Sequence, residues 1–179
     1  MSIVTVSVLV PARSGIVGGG CRGRRLAREM ADAGNAVRIT TRSEERRSEI
    51  EASGAECWLG TPERLGSLRA ALDGVTVACW MLVRATGPAA EVRSLHGSRL
   101  ELFLRYVIDT TVRGFVYDAS PGTLCEQLLE EGAAVTRSLT RQHSIPARVL
   151  VHGDGAAGDD AGWVRAAGAA VQGFLGPSE

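Results

Sequence analysis

Ile16-Val17-Gly18-Gly19-Gly20-Cys21-Arg22-Gly23-Arg24 is the stretch on which the fold turns. Its glycines stand as Gly18-x-Gly20-x-x-Gly23, after two β-branched residues and before a segment, Arg24 to Ala33, with helical character. Gly34-Asn35 ends that segment as a helix C-cap does. In a strand–loop–helix setting each glycine has its own task. Gly18 allows a tight turn. Gly20, lacking a Cβ, lets the backbone approach a pyrophosphate. Gly23 lets the helix pack close to the sheet. The start of the helix offers free N–H groups and the positive end of the helix dipole, worth about 0.3–1 kcal/mol for an exposed anion. The plain alternative is a glycine-rich turn without a ligand.

Outward from this loop, strand and helix signals alternate. Ala36 to Thr40 reads as a short strand, Ser43 to Ala52 as a charged helix stopped by Ser53-Gly54, and Ala55 to Leu59 as a strand. Leu65, Leu68 and Leu72 mark one helix face. Val75 to Val83 is an unbroken apolar run, which suits a parallel strand covered on both faces. Glu91 to Asp109 predicts one long amphipathic helix, Arg113 to Tyr117 a strand, Gly122 to Gln142 a helix, and Ile145 to Val151 a strand. After a Gly-, Ala- and Asp-rich loop, Trp163, Val164, Ala167, Ala170, Val171, Phe174 and Leu175 recur at helical spacing. Trp80 reads as core and Trp163 as the residue that docks the last helix. Six strands in alternation with helices predict an α/β fold. The sheet is doubly wound and parallel, in three α/β/α layers, with strand order 3-2-1-4-5-6 over a single domain spanning 1–179. The first strand has two readings. Ile3 to Val10 is the stronger run, yet seven residues separate it from Gly18. Otherwise the strand is the short stretch ending at Val17 and the first dozen residues are an extension.

Composition narrows the chemistry. The chain has 179 residues, 45% hydrophobic and 22% charged, which is incompatible with global disorder. Twenty basic residues balance twenty acidic ones, which argues against a nucleic-acid partner. No apolar run reaches about 18 residues, which argues against a membrane span. Every basic residue is arginine, so no lysine is present for a Schiff base, a phosphate-binding loop or proton transfer. Cys21, Cys57, Cys79 and Cys125 form no CxxC pair, and His96, His143 and His152 are scattered, so no metal site is expected. Unpaired cysteines amid apolar residues, with no signal-peptide pattern, predict a cytoplasmic protein.

The second strand bears on cofactor choice. A NAD site places Asp or Glu near its end to hold the ribose 2′-hydroxyl. Here the residues are Thr40-Thr41-Arg42. A guanidinium at that place pairs with a 2′-phosphate, so NADP is favoured and NAD remains possible. Arg22, inside the glycine loop, is expected to help. The candidate cofactor-binding residues are therefore Gly18, Gly20, Cys21, Arg22, Gly23, Thr41 and Arg42. Arg42 as a solvated residue at a helix start is the simpler alternative. The arginines at 24, 25 and 28 read as a solvated face, and His96 as a packed or surface residue rather than a base.

Gly18 to Gly23, Val37 to Arg42, Gly54-Ala55-Glu56, Ser67 to Val75 and Arg113 to Tyr117 together resemble the short-chain dehydrogenase/reductase superfamily. The nearest flavour is the NAD-dependent epimerase/dehydratase and NmrA-like atypical branches. The resemblance covers about residues 16 to 120 and implies a Rossmann fold with a bound dinucleotide. It also implies a catalytic Tyr-x-x-x-Lys, which this chain lacks: neither Tyr106 nor Tyr117 has a lysine four residues on. Ser120 stands where the family has a catalytic serine and is a weak catalytic candidate, a turn residue before Pro121-Gly122 being the simpler reading. After the third strand, Gly60-Thr61 replaces an Asp that the family sets near adenine. The family's substrate-binding C-terminal region has no counterpart after the sixth strand. Two functions follow as expectations. One is a non-catalytic dinucleotide sensor or binding module. The other is an NADPH-dependent oxidoreductase or epimerase-like enzyme that works by cofactor positioning. The substrate is not legible, and a homodimer is compatible with the sequence.

Overall fold

Arg13–Val17 is the first strand, β1, so of the two readings the stretch ending at Val17 is the one built into the sheet. The computed structural model describes residues 12–18, 20–122, 124–151 and 160–176, and Ile3 to Val10 lie outside them. The remaining strands are β2 (Ala36–Thr41), β3 (Glu56–Leu59), β4 (Val77–Trp80), β5 (Gly114–Asp118) and β6 (Ala147–Leu150). They form one sheet in the order β3-β2-β1-β4-β5-β6, with every neighbouring pair parallel. Ile16 is in register with Ile39 on one side and Cys79 on the other. The chain therefore reverses direction of travel across the sheet after β3, and β1 and β4 lie side by side at the switch point where open α/β sheets place ligands.

Helices cover both faces. α1 (Cys21–Asp32), α2 (Arg47–Glu51) and α7 (Asp160–Leu175) lie on one side, and α3 (Leu65–Ala71), α5 (Ser98–Ile108) and α6 (Glu126–Gln142) on the other. The two-residue period of the strands separates two cores. Ile16, Val77, Cys79 and Val116 pack with Leu26, Met30 and Trp163. Val17, Ala78, Trp80, Phe115 and Tyr117 pack with Leu68, Leu100 and Phe103. Trp80 is fully buried, with its ring centroid 4.8 Å from that of Phe103. The strand order, the buried central β4 and the roles of Trp80 and Trp163 agree with the sequence reading.

Several boundaries differ. α1 starts at Cys21 rather than Arg24, which places Cys21, Arg22 and Gly23 in its first turn. The long helix expected over 91–109 is two helices, α4 (Ala89–Leu95) and α5, broken at His96-Gly97, where Gly97 has φ −125° and ψ −107°. The segment after β2 is a 3-10 turn, Glu44–Arg46, followed by the short α2. The helix after β5 starts at Glu126 rather than Gly122, because Ser120 and Pro121 first turn the chain away from the sheet.

Candidate functional site

The glycine loop follows β1 directly. Gly18 has φ +123°, and a Cβ there would lie 2.4 Å from the Met81 carbonyl oxygen. The loop therefore crosses hard against the chain leaving β4, and only glycine fits. A Cβ on Gly23 would lie 2.4 Å from the Gly18 carbonyl oxygen, so α1 packs directly on the loop. Gly20 differs from both: a Cβ there meets nothing within 4 Å, and the residue is exposed. It is the N-cap of α1, which has no side-chain cap and no acidic residue in its first turn. The N–H groups of that turn lack intrahelical acceptors and are not satisfied by a capping side chain.

Gly18 and Gly20 line a cleft of about 490 Å³ at the carboxyl ends of β1 to β4. Its other walls include Thr40, Thr41, Arg42 and Arg46 from the β2 end, Gly60 and Thr61 after β3, and Met81 and Arg84 after β4. Thr41 is buried, and its hydroxyl oxygen accepts a hydrogen bond from the Ser43 backbone N–H at 3.2 Å. That bond shapes the turn on which Arg42 is exposed. Thus Gly18, Gly20, Thr41 and Arg42 are brought together as expected. Cys21 is exposed at the first position of α1, its sulfur 3.7 Å from an Arg24 guanidinium nitrogen.

Arg22 is placed differently from the expectation that it would assist at the 2′-phosphate. It is buried and points toward β5 and α7, on the opposite side of β1 from Arg42. Its Nε donates to Asp160 at 2.7 Å and its Nη1 to the Ser120 hydroxyl at 3.2 Å, while the guanidinium lies 5.2 Å from the Trp163 ring centre. The cause is position: the second residue of α1 faces the α7 side, where an anion and an indole await it.

Ser120 is equally committed. It is buried, donates its hydroxyl to Asp118 at 2.6 Å, and also donates its backbone N–H to the same carboxylate oxygen at 3.0 Å. The Trp163 indole N–H reaches that oxygen at 3.2 Å. Burial pushes the Asp118 carboxyl above the usual carboxylate range against the pull of these donors. The group ties β5 to α7 and to α1.

On the other face, His96 is buried with its Nδ1 2.7 Å from the Tyr117 hydroxyl. Its Nε2 is buried with no hydrogen-bond partner among the described residues. Burial pulls the imidazole down to about 4 and raises the Tyr117 phenol. His96 is a packed residue, as its sequence context suggested.

Sequence reasoning missed Arg46, Arg84 and Asp160. Arg46 closes the 3-10 turn Glu44–Arg46 that follows Arg42, and that turn brings both arginines to the same wall. Arg84 could have been noticed as a charge just past the C-terminal end of a central parallel strand. Asp160 carried no signal, because it meets Arg22 across 138 residues. A second cavity, of about 730 Å³, lies beyond the β5 and β6 ends, with Ala119, Gly122, Leu129, Ala133 and Val151 among its walls.

No protein-family model matches the chain, and no curated protein does. Solved structures do. Vestitone reductase from alfalfa (Medicago sativa) is 14% identical with a TM-score of 0.60, over 78% of this chain and 56% of that one. UDP-glucose 4-epimerase from Thermotoga maritima is 12% identical with a TM-score of 0.63, over 78% and 54%. UDP-glucuronic acid 4-epimerase from Bacillus cereus, solved with NAD, is 10% identical with a TM-score of 0.61, over 78% and 55%. The chain spans about half the length of these structures. At such identities the likeness is one of fold, and the fold is the Rossmann-like three-layer α/β/α sandwich that these reductase and epimerase structures share.

Proposed function

We propose that the chain binds a nicotinamide dinucleotide, NADP in preference to NAD, and acts as a dinucleotide sensor or binding module. The observation that carries this reading is the single cleft in which an uncapped α1 N-terminus, the open side of Gly20 and the exposed guanidiniums of Arg42 and Arg46 share the walls. The donors suit the ligand. Backbone N–H groups and the helix dipole suit the pyrophosphate. Two guanidiniums at the β2 end, where no carboxylate stands at Thr41 or Arg42, suit a 2′-phosphate. Glu45 and Glu63 also line the cleft and offset part of its positive charge, so the preference for a 2′-phosphate rests on direct pairing with Arg42 and Arg46.

When bound, the nicotinamide supplies a hydride donor or acceptor. The residues of this chain bind and orient it. The Tyr-Lys pair that the family uses for proton transfer is not supplied by any residue here, since the chain has no lysine and its Tyr117 is buried. That absence supports the binding-module reading. One observation favours the NADPH-dependent oxidoreductase or epimerase-like reading: the 730 Å³ cavity beside the β5 end is large enough for a small substrate. The four unpaired cysteines suit a reducing, cytoplasmic setting, and no helix of the described residues is long and apolar enough to cross a membrane.

Calorimetry of the full chain with NADPH and NADH tests the reading. Binding of NADPH that Gly20→Val abolishes in a protein that still unfolds cooperatively, with only a small fall in melting temperature, is the expected result. No binding of either nucleotide, or binding indifferent to Gly20→Val, refutes it.

A further inference from the structure

Asp160, the first residue of α7, draws three arginines to itself. Its Oδ1 accepts from Arg22 Nε at 2.7 Å and from Arg84 Nη2 at 3.1 Å, and its Oδ2 lies 3.7 Å from Arg25 Nη1. These contacts hold its carboxyl below the usual carboxylate range. One carboxylate against three guanidiniums leaves two positive charges in excess among these four residues. The three arginines are not equivalent. Arg22 is buried and pinned by Ser120 and Trp163 as well as by Asp160. Arg84 has a side chain 50% exposed, and Asp160 is its partner in the described structure. Arg84 also lines the glycine-loop cleft beside Gly20.

We propose that Asp160 is an internal anion competing with ligand phosphate for Arg84: the arginine belongs to the pyrophosphate-binding wall of the cleft, and Asp160 sets how tightly that wall binds. This rests on the dinucleotide reading and deepens it. The geometry supports it in three ways. Arg84 lines the cleft and reaches a carboxylate that is not part of the cleft wall, so a side-chain rotation of Arg84 separates the two partners. Arg22 stays behind as the fixed counter-ion of Asp160, so releasing Arg84 does not strand a carboxylate beside α1. A guanidinium with five donors can take two phosphate oxygens at once, which a shared carboxylate oxygen does not offer it. The ligand class is a diphosphate.

The test uses the full chain, calorimetry, and two probes, NADPH and inorganic pyrophosphate. Asp160→Asn keeps an acceptor for Arg22 Nε but removes the competing charge, and is expected to tighten both probes by about ten-fold. Arg84→Gln leaves the Arg22–Asp160 pair intact and is expected to weaken both by about ten-fold, with a shallower dependence on salt. The double variant is expected to show a much smaller gain from Asp160→Asn than the single variant does, because most of that gain runs through Arg84. Unchanged or weaker binding in a folded Asp160→Asn, or an Arg84→Gln that binds like wild type, overturns the proposal. If Asp160→Asn unfolds, the Arg84→Gln result decides alone. Wild type that binds pyrophosphate with this pattern but no nicotinamide nucleotide upholds the proposal and sinks the cofactor reading. Wild type that binds NADPH without the pattern does the reverse.

Discussion

The position that a Cβ of Gly23 would take lies 2.4 Å from the carbonyl oxygen of Gly18, whereas the corresponding position on Gly20 faces open space. Two glycines of one motif therefore answer to different constraints. Gly23→Ala has to push α1 off the loop, and the gain of about 1 kcal/mol in helix propensity does not offset it. The expected net loss is about 1–3 kcal/mol of stability, read from urea unfolding. Gly20→Val meets no neighbouring atom and costs about 0.5–1 kcal/mol as a poorer N-cap of α1, so its main effect falls on the ligand. A Gly23→Ala protein as stable as wild type would show that the loop and helix are not in that contact.

Arg42 and Arg46 line the cleft wall where a 2′-phosphate is expected. A charge-assisted hydrogen bond is worth about 1.5–3 kcal/mol, which is roughly ten- to a hundred-fold in affinity. Arg42→Ala should weaken NADPH by that factor and leave NADH nearly unchanged, and Arg46→Ala should act in the same direction. Wild type that prefers NADH, measured by titration of both nucleotides, would remove the NADP preference.

His96 titrates at about 4 in the fold against 6.5 unfolded, because burial disfavours its charged form. The folded state then binds fewer protons than the unfolded one between these values, so stability is complete above about pH 6.5 and falls as pH drops toward 4. The loss reaches about 3 kcal/mol at most. Asp118, shifted upward from 3.8, acts in the opposite sense over a window that runs upward from that value, since its protonated form is favoured in the fold. Urea unfolding of wild type and His96→Gln at pH 7, 6 and 5 isolates the histidine: the variant should lose the fall in stability that His96 contributes over this window. Parallel slopes in the variant and wild type would show that His96 does not titrate as its burial implies.

Where sequence signals were local, they carried through to the fold. The unbroken run around Val77–Trp80 is a central strand, and Gly18-x-Gly20-x-x-Gly23 sits between β1 and α1. Non-local pairings stayed hidden. The strand ending at Val17 is short and less apolar than Ile3 to Val10, and its place is decided by two parallel neighbours, β2 and β4, not by its own residues. The break at His96-Gly97 escaped periodicity, because Leu95 and Leu100 continue the apolar stripe on both sides of it. Arg22 looked like a ligand contact because the motif puts it in the loop. Only the fold reveals that Asp160 and Trp163 lie on its side.

The placement of Ser120 and Tyr117 bears on turnover. The Ser120 hydroxyl is held by Asp118 at 2.6 Å and by Arg22 at 3.2 Å, and the Tyr117 hydroxyl by His96 at 2.7 Å, on opposite faces of β5. They cannot act as one serine–tyrosine pair, since the pleat that sends Tyr117 into one core sends Asp118, the anchor of Ser120, toward the other. Each variant should therefore read out as stability. Ser120→Ala removes the hydroxyl donor to the buried Asp118 carboxylate and the acceptor of Arg22 Nη1, and should cost about 1–3 kcal/mol. Tyr117→Phe leaves His96 Nδ1 unpaired and should cost a similar amount. NADPH-dependent reduction of simple aldehydes and ketones by wild type should stay near background. Strong carbonyl reduction that disappears in a folded Ser120→Ala or Tyr117→Phe would place the chain among the enzymes and refute the binding-module reading.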